Sequence, residues 1–539
     1  MPRKIIILII LIVLFLLCVF SVYFLFCRKK GMEEQYDTAI LQKEKTIDAQ
    51  NLFPSNQSTE KKDFMNLIQR IKKYIEGIPL KKIKLPVYYI NMDKNPERKE
   101  FMENQLRHYS DRFTRIKGFN GYKIQNKSYD TVEGVTFRNR YIDLTNSEIG
   151  CLMSHLLAIK KAYEDGNDIA LILEDDTVVH LMTLLEHDFE TIYQDAPNDW
   201  EIINLFHMSN WKTNLLKTTY NRNQEYKYLK HDGKINYLYS AVGYLINRKG
   251  MKKILDFAYD SEKNMFDLGK DFRIAPNGRA DFFIYDITNS YYLYPDLFYP
   301  NNLALESTLH MEHTDAHIKR SLEVLKYYDN KIKRKEFNKK YNIVVVYSNL
   351  SRRKDLDDEM KKQLSIFPKV ERVESQENFD YPKLAILNNH INMLKKAVEY
   401  GKDALVCEDD ISIDSVNIPI FLYDFYEKKI DWDVLMFVHA SQQMIPTLYK
   451  DLKRTYEAKI NKCYLIRAGY IPTLLKVLEE SLIVYKTLGF WNDMTNPVDE
   501  SWKSLQKIDK WYVPVFNPPE NDNTIDYKPL ELVTVKKNI

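Results

Sequence analysis

Hydrophobic and polar positions along this chain alternate between two patterns. Short apolar runs rich in β-branched and aromatic residues, such as Val87-Tyr-Tyr-Ile90, Leu171-Ile-Leu173, Val344-Val-Val-Tyr347 and Leu405-Val-Cys407, read as buried strands. Between them lie longer helix-like segments closed by a Gly-containing turn, as in Ser154–Gly166 and Asn389–Gly401. Strands alternating with helices predict α/β units around a largely parallel sheet. A third pattern stands apart. Ile5 to Phe26 is 22 mostly apolar residues, closed by Cys27-Arg-Lys-Lys30. That is long enough to span a bilayer and too long for a signal-peptide core, so residues 1–30 are expected to form a membrane anchor. Arg3 and Lys4 precede the run and Arg28, Lys29 and Lys30 follow it, so flanking charge alone does not choose an orientation.

The order of elements occurs twice. Each copy opens on an apolar run leading to a turn and an arginine (Arg98, Arg353) and then a charged helical segment. Each continues with a His-bearing helix (His155, His390) and an apolar run ending in Glu-Asp-Asp, at 174–176 and 408–410. The His-to-Glu spacing is 19 residues in the first copy and 18 in the second. Asp-Trp and another strand follow in both, leading to His207 and His439. Each copy then reaches an Asp-containing segment (Asp281, Asp499) and a Tyr/Pro-rich strand. The expected domains are 83–320 and 341–535. The polar segment 31–82 reads as a stem, and the lysine-rich stretch 321–340, which has no long apolar run, as a linker.

Composition narrows the class. With 539 residues the chain suits about two domains, and 45% hydrophobic content suffices for large cores. A formal net charge of +3 argues against nucleic acid as the main partner. Cys18 and Cys27 lie in or beside the anchor; Cys151, Cys407 and Cys463 are scattered. They imply neither a disulfide framework nor a zinc site, and Cys407 reads as a small core residue.

The acidic triplets carry the chemistry. Three carboxylates at the end of a buried strand repel one another unless a cation sits among them, and hard oxygen ligands suit Mg²⁺ or Mn²⁺. Ligands of open α/β sheets collect beyond the carboxyl ends of strands, where both triplets are expected. Capping of the following helix by acidic residues is the competing reading.

With the opening Tyr89-Ile-Asn91 and Arg98, the element Glu148-Ile-Gly-Cys-Leu-Met-Ser-His155 followed by Leu171-Ile-Leu-Glu-Asp-Asp176 resembles glycosyltransferase family 25. The resemblance covers most of 85–310. The second copy follows the order of elements but has Leu384-Ala-Ile-Leu-Asn-Asn-His390 instead of the Glu-x-Gly-Cys element. The resemblance implies two tandem GT-A-like nucleotide-sugar-binding domains, the second divergent, behind an N-terminal transmembrane helix. It also implies a divalent ion, Mn²⁺ or Mg²⁺, bridging the donor diphosphate to the acidic motif.

On that footing Asp176 is the expected direct metal ligand, with Asp410 its counterpart. Glu174 or Asp175 would contact the ribose or a metal-bound water, and Glu408 and Asp409 stand in the same places. Asp281 is the candidate general base and Asp499 its equivalent; each also suits a plain helix start. His155 could face the donor or be a structural histidine. His207 and His439 could line the cleft. His310 or His313 could supply a third metal ligand, or belong to a surface loop. Arg98 and Arg353 could meet the diphosphate, or form exposed salt bridges.

The function expected is transfer of a hexose, galactose or glucose, from a UDP-sugar to a glycan or protein hydroxyl, the first domain being catalytic. The second domain is expected to be either a transferase of different specificity or a scaffold for the acceptor. A carbohydrate-binding protein on a decayed transferase fold is the alternative. No Gly-rich phosphate loop supports a phosphotransferase. By analogy the protein is a single-pass type II membrane protein with its body lumenal, in the ER or Golgi, or on a host membrane if viral. The sequons at Asn56 and Asn126 would then be usable.

Overall fold

The computed structural model describes residues 55–208, 226–231, 240–301, 314–377, 381–438, 440–441, 444–488, 497–515 and 532–535. The expected anchor, His310, His313 and His439 lie outside the described residues. Among the described residues no helix is long and apolar enough to cross a membrane. The chain divides into two compact units, 1–66 and Leu67–Ile539; apart from the start of one helix that begins at Ser55, everything below concerns the second.

Two large sheets organise this unit. The first contains β1 (Val87–Asn91), β2 (Phe113–Lys117), β3 (Ile169–Glu174), β4 (Ile202–Asn204), β5 (Lys227–Lys230), β6 (Gly243–Asn247) and β7 (Ser290–Tyr294), in the order β2-β1-β3-β6-β4-β7-β5. The second contains β8 (Val344–Asn349), β9 (Val370–Glu374), β10 (Ala404–Glu408), β11 (Val434–Met436), β12 (Met444–Pro446), β13 (Leu452–Thr455), β14 (Cys463–Ile466) and β15 (Trp511–Pro514), in the order β9-β8-β10-β14-β11-β15-β13-β12. The first seven positions of the two orders correspond strand for strand.

The expectation of a largely parallel sheet holds with exceptions: in the first sheet β2, β1, β3, β4 and β7 run one way and two strands are reversed. β6 runs antiparallel to both its neighbours, β3 and β4, and β5 is antiparallel to β7. β14 is likewise reversed between β10 and β11. The start of each reversed strand therefore lies beside the end of the strand that carries the acidic triplet. Glu174 N donates to Val242 O (2.9 Å) and Glu408 N to Lys462 O (2.8 Å).

Helices α1 (Ser55–Ile75), α2 (Pro96–Tyr109), α3 (Asn146–Glu164), α4 (Arg248–Ala258) and α5 (Ala280–Ile287) precede a 27-residue helix, α6 (Thr314–Lys340). The second half adds α7 (Lys354–Leu364), α8 (Pro382–Val398), α9 (Ile418–Glu427), α10 (Ile471–Leu488) and α11 (Pro497–Ile508). The stretch 321–340, expected as a linker, is thus helical. It buries Leu322, Leu325, Tyr328, Ile332 and Phe337. Its buried Lys333 pairs with Asp329 and Asp424, and Arg320, earlier on the same helix, with Asp296. Part of the expected stem also packs down. Leu67, Ile68, Ile71 and Ile75 are buried, and Lys81 Nζ donates to Leu185 O (2.6 Å).

The core of the first half lies where α3, α4 and α5 cover one sheet face, with Leu156, Ile159, Leu255 and Phe283 against Ile172 and Ile246. Cys407 is a core residue, as expected; it faces Cys463 in register, the two thiol sulfurs 3.5 Å apart.

Candidate active site

The Glu-x-Gly-Cys-x-x-Ser-His element is the first part of α3, and the structure supplies a separate reason for most of its members. Thr145 and Glu148 form a reciprocal capping box: Glu148 N donates to Thr145 Oγ1 (3.1 Å) and Thr145 N to Glu148 Oε2 (2.8 Å). Two of the helix's free N–H groups are satisfied this way. Arg279 Nε donates to the other Glu148 oxygen (2.7 Å), tying the start of α5 to that of α3. At Gly150 an added Cβ would lie 3.0–3.1 Å from the Gly121 backbone and Phe119 O, so glycine permits this close pass. Ser154 Oγ accepts from Phe119 N (2.8 Å) and donates to Gly150 O (2.7 Å). This pins the loop after β2 to the helix.

His155 then points at the end of β3. Its Nε2 lies 3.3 Å from Glu174 Oε1 and its Nδ1 3.2 Å from Tyr244 OH. His155 is buried. It is structural in its burial, yet it faces the acidic motif, so the two readings open from the sequence converge on one side chain. Cys151, one turn earlier, brings its sulfur within 4.8 Å of a ring nitrogen of His155 and a carboxylate oxygen of Glu174, a grouping that linear spacing did not reveal. Burial pushes its thiol pKa well up.

The three carboxylates have different surroundings. Asp175 accepts from Asn91 Nδ2 (2.7 Å) and Arg98 Nη1 (2.9 Å). Arg98 also lies 3.7 Å from Asp176 and is 8% exposed, which corrects the expectation of an exposed salt bridge: its guanidinium is committed to the acidic motif. Burial holds Asp175 above the usual carboxylate range despite Arg98. Asp176 goes further. Burial, reinforced by the Glu174 charge, raises it to about 7. Its Oδ1 is buried with no hydrogen-bond partner among the described residues.

A buried carboxylate oxygen with no donor, beside two more carboxylates and one guanidinium, is a charge imbalance that a divalent cation would correct. Oxygen donors suit Mg²⁺ or Mn²⁺. The site therefore fits such an ion, with Asp176 and the exposed side of Glu174 as the atoms to hold it. A cavity of about 140 Å³ opens here, lined among others by Arg98, Tyr122, Cys151, His155, Glu174 and Asp175.

Asp281 opens α5. Its Oδ2 accepts from Ser240 N (2.9 Å) and its Oδ1 from Phe282 N (3.0 Å). Burial raises its carboxyl against those two hydrogen bonds, and the Glu174 charge adds to the rise. The helix-start role expected as an alternative is present, but the group also sits within electrostatic reach of Glu174. His207 does not line this cleft. Its Nδ1 lies 2.7 Å from Asp296, and Arg320 Nε donates to His207 O (2.9 Å), a buried ion-pair cluster assembled from distant parts of the sequence.

The second half repeats the geometry with different residues. His390 lies 3.2 Å from both Glu408 Oε1 and Tyr464 OH. Asp409 accepts from Asn349 Nδ2 (2.8 Å) and Arg353 Nη1 (3.3 Å), although the Arg353 side chain is 39% exposed. Burial lifts Asp409. Burial also acts to raise Glu408, but the His390 hydrogen bond and the His390 and Lys462 charges outweigh it and hold the carboxyl low. Asp499 accepts from Ile460 N (3.1 Å) as Asp281 does from Ser240 N. Ser240 and Ile460 both adopt positive φ, +93° and +76°, a strained conformation for such residues. Where the first half has the capping box, α8 begins on Pro382 with no side-chain cap. Asn389 replaces Ser154 and accepts from Gln376 N (2.8 Å). The cavity here is larger, about 450 Å³.

Residues 84–268 match the family model Glycosyltransferase family 25 (LPS biosynthesis protein), about a third of the chain. Among curated proteins, the chain is 23% identical over 202 residues to a Glycosyltransferase 25 family member of Aedes aegypti, covering 36% of this chain and 31% of that protein. It is 28% identical over 182 residues to Procollagen galactosyltransferase 1-B of Xenopus laevis, covering 32% of this chain and 28% of that one. The chain thus spans less than a third of the length of these two relatives. Among solved structures, a glycosyltransferase involved in the glycosylation of the major capsid of PBCV-1 aligns over 32% of this chain and 80% of its own, at 11% identity and a TM-score of 0.23. Arg98, His155 and the first acidic triplet fall inside the matched residues; Asp281 and the whole second half fall outside them. The chain carries a segment, residues 84–268, that matches glycosyltransferase family 25.

Proposed function

We propose that this chain is a metal-dependent glycosyltransferase that moves a hexose, galactose or glucose, from a UDP-sugar to a hydroxyl of a glycan or protein. The observation that carries the reading is the unpartnered, buried Asp176 oxygen at the end of β3, within the segment matched to family 25. A divalent ion held by Asp176 and Glu174 would neutralise the charge that develops on the departing nucleoside diphosphate. Arg98 fixes Asp175, and His155 fixes Glu174, so the donor-facing carboxylates are oriented before ligand arrives.

Asp281 serves as the base. In its ionised form it takes the proton of the acceptor hydroxyl as that oxygen bonds to the anomeric carbon. The bond from that carbon to the diphosphate oxygen breaks, and the diphosphate leaves with the electron pair. The Ser240 and Phe282 amides favour the ionised form, while burial keeps the group basic enough to accept a proton.

In the same proposal the second half is a divergent module of the same plan. Residues 5–26 anchor the chain as a type II membrane protein with its body in the lumen of the secretory pathway or of a host membrane system.

The test is release of UDP from UDP-galactose and UDP-glucose by the purified full chain with Mn²⁺, beside Asp176→Ala and Asp410→Ala. Release abolished in Asp176→Ala and retained in Asp410→Ala supports the assignment. The reverse pattern moves catalysis to the second half. No release from any UDP-sugar, with no stabilisation by UDP and Mn²⁺, refutes it in favour of a carbohydrate-binding role.

A further inference from the structure

The two clefts share their frame, including one buried oxygen of the last carboxylate with no hydrogen-bond partner among the described residues, Asp176 Oδ1 and Asp410 Oδ1, but differ in the cation beside that carboxylate. In the second, Lys462 Nζ forms an ion pair with Asp410 Oδ2. Lys462 stands immediately before the reversed strand β14, where its carbonyl accepts from Glu408 N. The residue making the same backbone contact in the first cleft, to Glu174 N, is Val242. Cys407 pairs with Cys463 as Leu173 pairs with Gly243, so Lys462 and Val242 occupy one register position. The residues on either side agree: Ser240 and Ile460 bond Asp281 and Asp499 in the same way. Among the described residues the cation paired with the first acidic triplet is Arg98, while the second has Arg353 and, beside the reversed strand, an ammonium reaching the last carboxylate.

We infer that Lys462 is the resident cation of the second cleft, and that this cleft therefore excludes a divalent ion and receives its ligand without one. The inference rests on the reading of the first cleft as a divalent-ion site. The ammonium compensates the charge that the ion would otherwise compensate, and an added ion would have to displace it from Asp410. Position 242/462 thus sets the metal requirement of each cleft, while the Glu-Asp-Asp motif is the same in both.

The experiment is Mn²⁺ titration of the purified full chain, with free Mn²⁺ followed by electron paramagnetic resonance and no substrate present. The parent is expected to bind one ion, lost in Asp176→Asn and kept in Asp410→Asn. Lys462→Val should acquire a second ion that disappears when Asp410→Asn is added. Val242→Lys should weaken binding at the first cleft on the order of a hundredfold, since an ammonium then competes for Asp176. This variant also decides the matter if Lys462→Val fails to fold. A parent that binds two ions, one of them lost in Asp410→Asn, overturns the inference. So does a folded Lys462→Val that binds no more than the parent, or a folded Val242→Lys with unchanged affinity. A parent that binds no ion at all sinks the reading of the first cleft, whereas the gain in Lys462→Val still tests Lys462 itself.

Discussion

Asp499→Asn offers a measurement whose size follows from the structure. Asp499 Oδ2 accepts from Ile460 N, and Oδ1 has no partner among the described residues. Burial raises its pKa from the ordinary 3.8 to about 6. Well below pH 3.8 the carboxyl is protonated in folded and unfolded chain alike and costs nothing; the cost grows between 3.8 and about 6 and levels off above. As pH rises through 6, the folded chain must surrender a proton that the unfolded chain gave up earlier, so stability is lost. Linkage puts the cost at about 1 kcal/mol at about pH 4.5 and about 3 kcal/mol at about pH 8. The amide substitution keeps an acceptor for Ile460 N and never ionises. Its own packing and hydrogen-bond changes do not depend on pH, so they cancel between the two conditions. The stability of Asp499→Asn relative to the parent should therefore be about 2 kcal/mol more favourable at about pH 8 than at about pH 4.5. Urea denaturation in the absence of divalent ions reads this directly, with Trp502 buried on the same helix as a fluorescent probe. A difference that is equal at the two pH values, or of opposite sign, refutes the argument that this carboxylate is buried at a cost.

Other outcomes are expected. Asp281→Asn should lower kcat by about 10²–10⁴-fold with little change in KM for the donor; a kcat within a factor of a few of the parent's removes Asp281 as the base. Arg98→Met leaves Asp175 and Asp176 without their guanidinium and should destabilise the metal-free chain by about 3–5 kcal/mol. Arg353→Met, at a half-exposed pair, should cost under about 1 kcal/mol. Equal losses in urea denaturation would show that burial of the first pair is not what matters. Asn126 is exposed, and its Oδ1 accepts from Ser128 N (3.0 Å) in a short turn. If the body is lumenal, the chain made in a glycosylating host should carry a glycan there, seen as a mass shift removed by an amidase; unmodified Asn126 in such a host counts against that topology.

Much of this arrangement was legible because it is local. The strand runs at Val87, Leu171, Val344 and Leu405 were continuous and apolar, and the triplets stood at the ends of the Leu171 and Leu405 runs. Strand direction was not legible. An apolar run reads the same whichever way it enters the sheet, so the reversal of β6 and β14, which brings Val242 and Lys462 to the clefts, has no signature in composition. α6 was missed for another reason. Its buried apolar residues Leu322, Val324, Leu325, Tyr328, Ile332 and Phe337 are scattered along the helix among the buried charges Arg320, Asp329 and Lys333, which are buried because partners far along the chain meet them. A search for a long apolar run passes over such a helix. The pairing of His207 with Asp296 and Arg320, and of Lys462 with Asp410, likewise joins residues that sequence order separates. The Ser154-to-Asn389 replacement looked like loss of a motif, whereas the structure shows the same hydrogen-bonding task carried out by a different side chain.

α6 has a consequence for how the molecule comes apart. Near its start Arg320 holds Asp296, and Tyr327 packs on Tyr294 with ring centroids 5.9 Å apart. Further along, Lys333 reaches Asp424 and Phe337 enters the core around β8 and β10. One continuous helix is therefore a wall of both halves. Melting it uncovers apolar surface on each sheet at once, so neither half has a boundary at which it can unfold alone. Heat should take Leu67–Ile539 through a single cooperative transition, and a cut placed anywhere from 320 to 340 strips packing from whichever half is kept.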